Sequence, residues 1–174
     1  MIEHVVLVDE NDKEIGVMPK LEAHIHGMLH RAFSVFIFDD MGRMLLQRRA
    51  LDKYHSAGLW TNSCCSHPRP SEEIKYAALR RLQEEMGMEC GIEEVFSFVY
   101  KAKFDNGLTE YEFDHVFLGH SNALPQINKE EVEEFKYVTQ DELLKDMSGH
   151  PEKYTEWFKL CIKDYQDKIF VNKN

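Results

Sequence analysis

The sequence predicts a single mixed α/β (α+β) domain over residues 1–174, in which a sheet with antiparallel hairpins is sandwiched by helices. Three observations predict it. Short apolar runs with strand character alternate with longer segments of helical periodicity. Tight-turn signals join the strands in pairs. The composition, 43% hydrophobic and 30% charged, is that of a globular chain able to bury a core.

The elements follow in order. Residues 5–9 read as a short strand. Phe33-Ser34-Val35-Phe36-Ile37-Phe38 is a buried strand, which Asp39-Asp40-Met41-Gly42 turns into another at 44–49. Residues 95–104 and 108–118 form a second pair, joined by Asp105-Asn106-Gly107, the strongest short hairpin signal in the chain. In the later strand Glu110, Glu112 and Asp114 recur at period two, so their side chains share one face. A first helix runs from about 72 to 86. Pro70-Ser71 is its start signal, Gly87 its stop, and Ile74, Ala78, Leu82 and Met86 its core-facing stripe. A second helix follows Thr139, whose partner Glu142 makes a capping box. A third begins after Pro151 and carries Tyr154, Trp157, Phe158, Cys161 and Tyr165 on one side. No internal repeat, low-complexity tract or linker interrupts the chain.

Charge and targeting narrow the function classes. A net charge of −10, from 21 Lys+Arg against 31 Asp+Glu, opposes binding to nucleic acid or to an anionic membrane. An anionic small molecule would need a local cluster of cations. The N-terminus has no basic segment leading into a long apolar run, and no apolar run spans a bilayer. Of the four cysteines, Cys64 and Cys65 are adjacent, a poor disulfide framework, so a reducing cytoplasm is expected. The expected assembly is a monomer or a weak homodimer.

The chemistry concentrates in two stretches, Thr61-Asn62-Ser63-Cys64-Cys65-Ser66-His67-Pro68 and Arg80-Arg81-Leu82-Gln83-Glu84-Glu85-Met86-Gly87-Met88. The second resembles the helix of the Nudix box, G-x5-E-x7-R-E-U-x-E-E-x-G-U, with U a bulky apolar residue. Glu72, Arg80, Leu82, Glu84, Glu85, Gly87 and Met88 match it. Ser66 stands at the leading glycine and Arg81 at the first glutamate of the R-E pair. Exchanging that carboxylate for a guanidinium removes a metal ligand and adds a donor fork that grips phosphate oxygens. Arg81 and Glu85 are i and i+4 on one face, so a diphosphate and its Mg²⁺ fit there together.

Around this box lie Lys20, His24 and His30, then Arg49 and Lys53, then Glu110-Tyr111-Glu112. The whole order, Lys20…His24…His30…Arg49…Lys53…Cys65-x-His67…Arg81…Glu85…Glu110-x-Glu112, resembles the type 1, flavin-independent isopentenyl-diphosphate isomerase family of the Nudix superfamily over nearly the full length. The resemblance implies a Nudix-like mixed sheet between helices. It implies one divalent ion, Mn²⁺ or Zn²⁺, held by His24, His30, His67, Glu110 and Glu112. His26 also lies between His24 and His30, and the place of His24 after Lys20 favours His24 as the ligand. It implies Cys65 and Glu112 as the acid–base pair, Tyr100 as the tyrosine that assists Glu112, and Trp157 beside the carbon skeleton of the substrate. Lys20, Arg49, Lys53 and Arg81 would hold the diphosphate, and Glu85 a second ion, Mg²⁺, upon it. No flavin is implied.

The implied reaction, in isoprenoid biosynthesis, transposes a double bond by protonating an unactivated alkene and removing a proton from the neighbouring carbon. The tertiary carbocation between those events needs a desolvated acid, a base across the substrate and an electron-rich wall. A metal-tied, shielded carboxyl group suits the first role and a thiol or thiolate at Cys65 the second. An indole face stabilises a cation by roughly 0.5–2 kcal/mol. Binding energy from the uncleaved diphosphate fixes the alkene, and water must be excluded from the cation. The alternative is a Nudix-type diphosphohydrolase, which Arg81, Cys65 and the histidine set oppose. A catalytically idle binding module should have lost part of the set. His4, His55, His115, His120 and His150 carry no assignment, Cys64, Cys90 and Cys161 read as core residues, and Glu130-Glu131-Val132-Glu133-Glu134 as a solvated face.

Overall fold

The computed structural model describes residues 1–171; the expected domain span of 1–174 includes 172–174, which lie outside the described residues. Among the described residues the order is β1 (His4–Val8), β2 (Glu14–Pro19), α1 (Lys20–His26), β3 (His30–Phe38), β4 (Met44–Arg49), β5 (Trp60–Thr61) and β6 (Cys64–Ser66), then α2 (Ile74–Met86), β7 (Ile92–Lys103), β8 (Thr109–His120), β9 (Val132–Val138), α3 (Gln140–Gly149) and α4 (Glu156–Ile169). All nine strands join one mixed sheet, in which β3 pairs parallel with β8 and antiparallel with β1, β4 and β6.

The alternation of β3 builds two cores. Phe36 and Phe38 point to a cluster shared with Trp157, Phe158 and Ile162 of α4, whereas Phe33, Val35 and Ile37 point to one shared with Ala78, Leu82 and Met86 of α2. A strand covered on both faces reads as a nearly continuous apolar run, as β3 does. Each fully buried Phe or Leu contributes roughly 1.5–3 kcal/mol, so these two interfaces hold the helices to the sheet.

Three hairpins use one turn. Asp39 donates to and accepts from the ends of the β3–β4 loop (Asp39 N–H to Arg43 O, 3.0 Å; Gly42 N–H to Asp39 O, 3.0 Å), with Gly42 at φ +74°. Phe104, Leu108 and Gly107 repeat the pattern between β7 and β8, as the Asn-Gly signal predicts. The turn between β1 and β2 is the same shape, but Asp12 holds the left-handed position at φ +63°. This hairpin was not expected from the sequence, since no glycine marks it and β2 is largely exposed.

The helices require corrections. Helix α2 starts at Ile74 rather than about residue 72, because the Glu72 carboxylate accepts from the Arg69 N–H (2.9 Å) and from Arg80 (2.7 and 2.8 Å) instead of entering the helix. Gly87 ends it in the left-handed conformation, and Thr139 and Glu142 form the expected capping box on α3. Tyr154 does not lie on the last helix. A 3₁₀ turn, Pro151–Lys153, precedes it, and Tyr154 bridges to Trp60 before α4 begins. The acidic run is not a solvated face throughout: Val132 is fully buried and opens β9, which pairs along β4, and Glu131 turns inward. No helix among the described residues is long and apolar enough to cross a membrane.

Candidate active site

Register assembles the site. His30 on β3 stands beside Glu112 on β8, and Glu112 stands beside Tyr100 on β7, so three strands present one row of polar side chains to one face. Cys65 on β6 lies beside Ser34 on β3, and His67 follows at the end of that strand. The row of Glu110, Glu112 and Asp114 does share a face of β8, and that face is buried. Helix α1 delivers His24 (1% exposed) inward, while His26 is exposed. The resulting cavity, about 360 Å³, is walled by Cys65, His67, Glu110, Glu112 and Trp157 and rimmed by Lys20, Arg49, Lys53 and Arg81.

The cluster has the form of a metal site. The ring nitrogens of His24, His30 and His67 offer ligand atoms within 4.8 Å of one another. His30 Nδ1 lies 2.8 Å from the Met28 carbonyl, which can only accept, so Nδ1 donates there and Nε2 is the atom turned toward the cluster. That Nε2 faces His67 Nε2 at 3.2 Å and Glu112 Oε2 at 3.5 Å, and the latter two atoms are 2.8 Å apart. Donors about 2.1 Å from one ion stand roughly 3.0–3.4 Å apart, so these edges fit a shared ion. His24 Nε2 and Glu110 Oε1 are buried without a hydrogen-bond partner, which costs about 1–3 kcal/mol per atom unless something binds them. The donor set therefore fits a divalent ion.

Electrostatics divide the carboxylates. Burial and the charge of Glu112 push Glu110 well above the usual carboxylate range. Glu112 is held well below it: burial opposes, but the hydrogen bonds from His30 and His67 win. Tyr100 donates at 2.6 Å to Glu110 and lies 3.1 Å from Glu112. Asp114 is also raised by burial and by Glu112, with Ser34 donating to it at 2.8 Å. Of the three, Glu112 carries the negative charge. Burial pushes the Cys65 thiol up, with Glu85 and Glu112 adding to the effect against Arg49, so its sulfur is protonated. Burial pulls His24 down to about 3, leaving a neutral imidazole.

Three of the four rim cations are ion-paired. Lys20 meets Glu3 at 2.5 Å, and Lys53 meets Glu131. Arg81 meets Glu84 (2.7 Å), Glu85 (3.3 Å) and Glu131 (3.4 Å). Arg49 lies over the Trp157 ring at 5.2 Å. Glu85 is 4% exposed and accepts from the Cys64 thiol at 2.7 Å, whereas Glu84 sits on the outer face of α2.

Among the cavity residues that sequence reasoning missed are Glu131 and His55. Glu131 was read as solvated, yet it holds Lys53 and Arg81. His55 was assigned nothing, yet its side chain is 7% exposed and its Nδ1 lies 3.8 Å from Glu110 Oε1. Its place two residues after Lys53 was the available signal.

Residues 28–158 match the NUDIX domain. An isopentenyl-diphosphate Delta-isomerase of Pectobacterium atrosepticum is 52% identical, covering 92% of each chain. One of Photorhabdus laumondii is 52% identical, covering 96% of each. One of Aromatoleum aromaticum is 51% identical over 93% of this chain and 86% of its own. Among solved structures, DR0079 from Deinococcus radiodurans superposes with a TM-score of 0.75 at 20% identity, covering 94% of this chain and 99% of that one. A MutT protein from Methanosarcina mazei gives 0.65 at 19% identity, covering 80% and 94%. These two likenesses establish the fold alone.

Proposed function

We propose, from the premise that this chain belongs to the isopentenyl-diphosphate Delta-isomerase family of NUDIX-domain proteins, that its cavity holds the substrate alkene between Cys65 and Glu112. The chain is an enzyme that interconverts isopentenyl diphosphate and dimethylallyl diphosphate, and it carries a His/Glu cluster whose ligand atoms converge as for a divalent ion. The observation that carries the assignment is that Cys65 and Glu112 line one cavity, where burial raises the thiol and the hydrogen bonds from His30 and His67 lower the carboxyl group.

One turnover adds a proton to one carbon of the alkene and removes one from another, so one group of the pair must hold a proton and the other must not. Cys65 and Glu112 meet that condition at rest. Tyr100 steadies Glu112 with its hydroxyl and exchanges protons between Glu110 and Glu112. Lys20, Arg49, Lys53 and Arg81 bind the diphosphate, with Lys20, Lys53 and Arg81 trading their carboxylate partners for its oxygens, and Glu85 would help hold the Mg²⁺ that accompanies it. The Trp157 ring, already used by the Arg49 guanidinium, offers its face to the carbocation. His24, His30, His67, Glu110 and Glu112 would hold the divalent ion, Mn²⁺ or Zn²⁺. Its charge would set the acidity of the Glu112 carboxyl group. No flavin, nucleic acid or membrane enters the reading; the protein acts in the cytoplasm as a monomer or weak homodimer.

The test is NMR of the protein with isopentenyl diphosphate, Mg²⁺ and Mn²⁺ in D₂O, without flavin. Deuterated dimethylallyl diphosphate should form, and Cys65→Ala and Glu112→Gln should each lose about 10²–10⁴-fold in rate while keeping the fold. Near-normal turnover by either variant would overturn the roles given to that pair. Phosphate release in place of isomerisation would point to hydrolysis.

A further inference from the structure

We propose that His55 is a further protein ligand to the divalent ion of the His/Glu site, reaching it beside His24 and Glu110. The proposal rests on the reading that the cluster holds such an ion, and adds to it a residue from the loop after β4. The ligand atoms of His24, His55 and Glu110 lie within 4.8 Å of one another. They face each other without bonding. His55 Nδ1, which contacts the Oγ of its neighbour Ser56 at 3.3 Å, stands 3.8 Å from Glu110 Oε1, beyond hydrogen-bond range, and both Glu110 Oε1 and His24 Nε2 are buried with no partner. Three donors that converge within 4.8 Å come near the spacing around one cation, where neighbouring donors are roughly 3.0–3.4 Å apart and opposite ones about 4.2 Å.

The ring of His55 is oriented in advance. It stacks on Phe104 (5.0 Å, 13°) and meets Trp157 edge-on (6.1 Å, 85°). Its neighbour Tyr54 lies 3.1 Å from His24 Nδ1, so the Nδ1–H of His24 can donate to that hydroxyl and leave Nε2 free to ligate. The same loop carries Lys53, and the His55 carbonyl accepts from Arg49 at 3.4 Å. Ligation through His55 thus ties the ion to the segment that holds two of the diphosphate cations.

The experiment titrates metal-free, full-length protein with Co²⁺, followed by visible absorption, and with Mn²⁺, followed by electron paramagnetic resonance. His55→Ala and His55→Phe are compared with the unaltered chain, and circular dichroism checks the fold. His55→Phe keeps the ring stack and removes both nitrogens, so it decides the matter if the alanine variant unfolds. The expected result is Co²⁺ and Mn²⁺ affinity weaker by about 10- to 100-fold in both variants, with a shifted Co²⁺ spectrum. Unchanged affinity and spectrum in folded His55→Phe would overturn the role of His55 and leave the ion site standing. Failure of the unaltered protein to bind either ion would overturn the site itself.

Discussion

Replacing Gly87 by alanine tests how α2 is fastened to the segment that carries Glu131. Gly87 sits at φ +62°, and a Cβ added there would lie 2.5 Å from the Gln126 carbonyl oxygen, closer than any real contact. The left-handed conformation alone costs a non-glycine residue roughly 1–2 kcal/mol. The clash adds to that, because the obstacle is backbone. The 121–131 segment must move, loosening the bonds from Gln126 N–H to Met86 O (2.8 Å) and from Asn128 N–H to Glu85 O (2.9 Å). Two hydrogen bonds contribute about 1 kcal/mol each, giving a total of roughly 3–4 kcal/mol. Gly42 is the internal control. Its φ is +74°, but nothing lies within 4 Å of an added Cβ, so Gly42→Ala should cost only the conformational part, about 1–2 kcal/mol. Urea unfolding of the two variants measures the difference. Equal losses at both positions would refute the close approach at Gln126, and with it the account of how Glu131 is held against Lys53 and Arg81.

Three further outcomes are expected. Tyr100→Phe removes the hydroxyl that bonds Glu110 and Glu112, and hydrogen bonds to charged groups are worth about 1.5–3 kcal/mol, so kcat should fall roughly 10- to 150-fold with little change in KM; a fall confined to KM would contradict the role. The Asp39 carboxylate lies below its usual range: burial opposes, but the Arg43 N–H and guanidinium and the Met41 N–H hold it ionised. The stability it contributes is therefore full above the unfolded value of about 3.9 and is lost as pH falls through the lower folded value, so Asp39→Asn should destabilise at pH 7 and lose that effect progressively as pH falls below about 3.9 in urea titrations. Chelating divalent ions should abolish isomerisation and lower the Tm, by roughly 5–10 °C where the ion had been present at 100 times its Kd; an unchanged Tm would mean that the histidine cluster holds no ion.

What could be read from the sequence was local. The hairpin at Asp105-Asn106-Gly107, the capping box at Thr139, the α2 stripe and the period-two carboxylates all depend on neighbours a few residues apart, and each is present in the fold. The elements that were missed lack such signals. Asp12 takes a glycine's conformation without being one, β2 is an exposed edge with little alternation, and α1 is seven residues long with Leu21 and Ile25 exposed. The inward turn of Glu131 is set by backbone bonds to Asn128 and Ala50, which charge patterning does not report. The candidate site was legible as a set of residues through the family resemblance, and its geometry was not: the Tyr100–Glu112–His30 row comes from strand register, and His55 enters through a loop.

The parallel pairing of β3 with β8 also governs when the site can exist. Ser34 and Asp114, bonded across this pair, are 80 residues apart in sequence, whereas the three hairpins close over a few residues. Hairpins form in about 1–10 μs, but a long closure must lose its loop entropy before any contact rewards it. His30 and Glu112 are neighbours only after that closure. A folding chain therefore has its hairpins before it has its histidine–carboxylate cluster, and ion affinity gained during refolding would mark the late, topology-limited event.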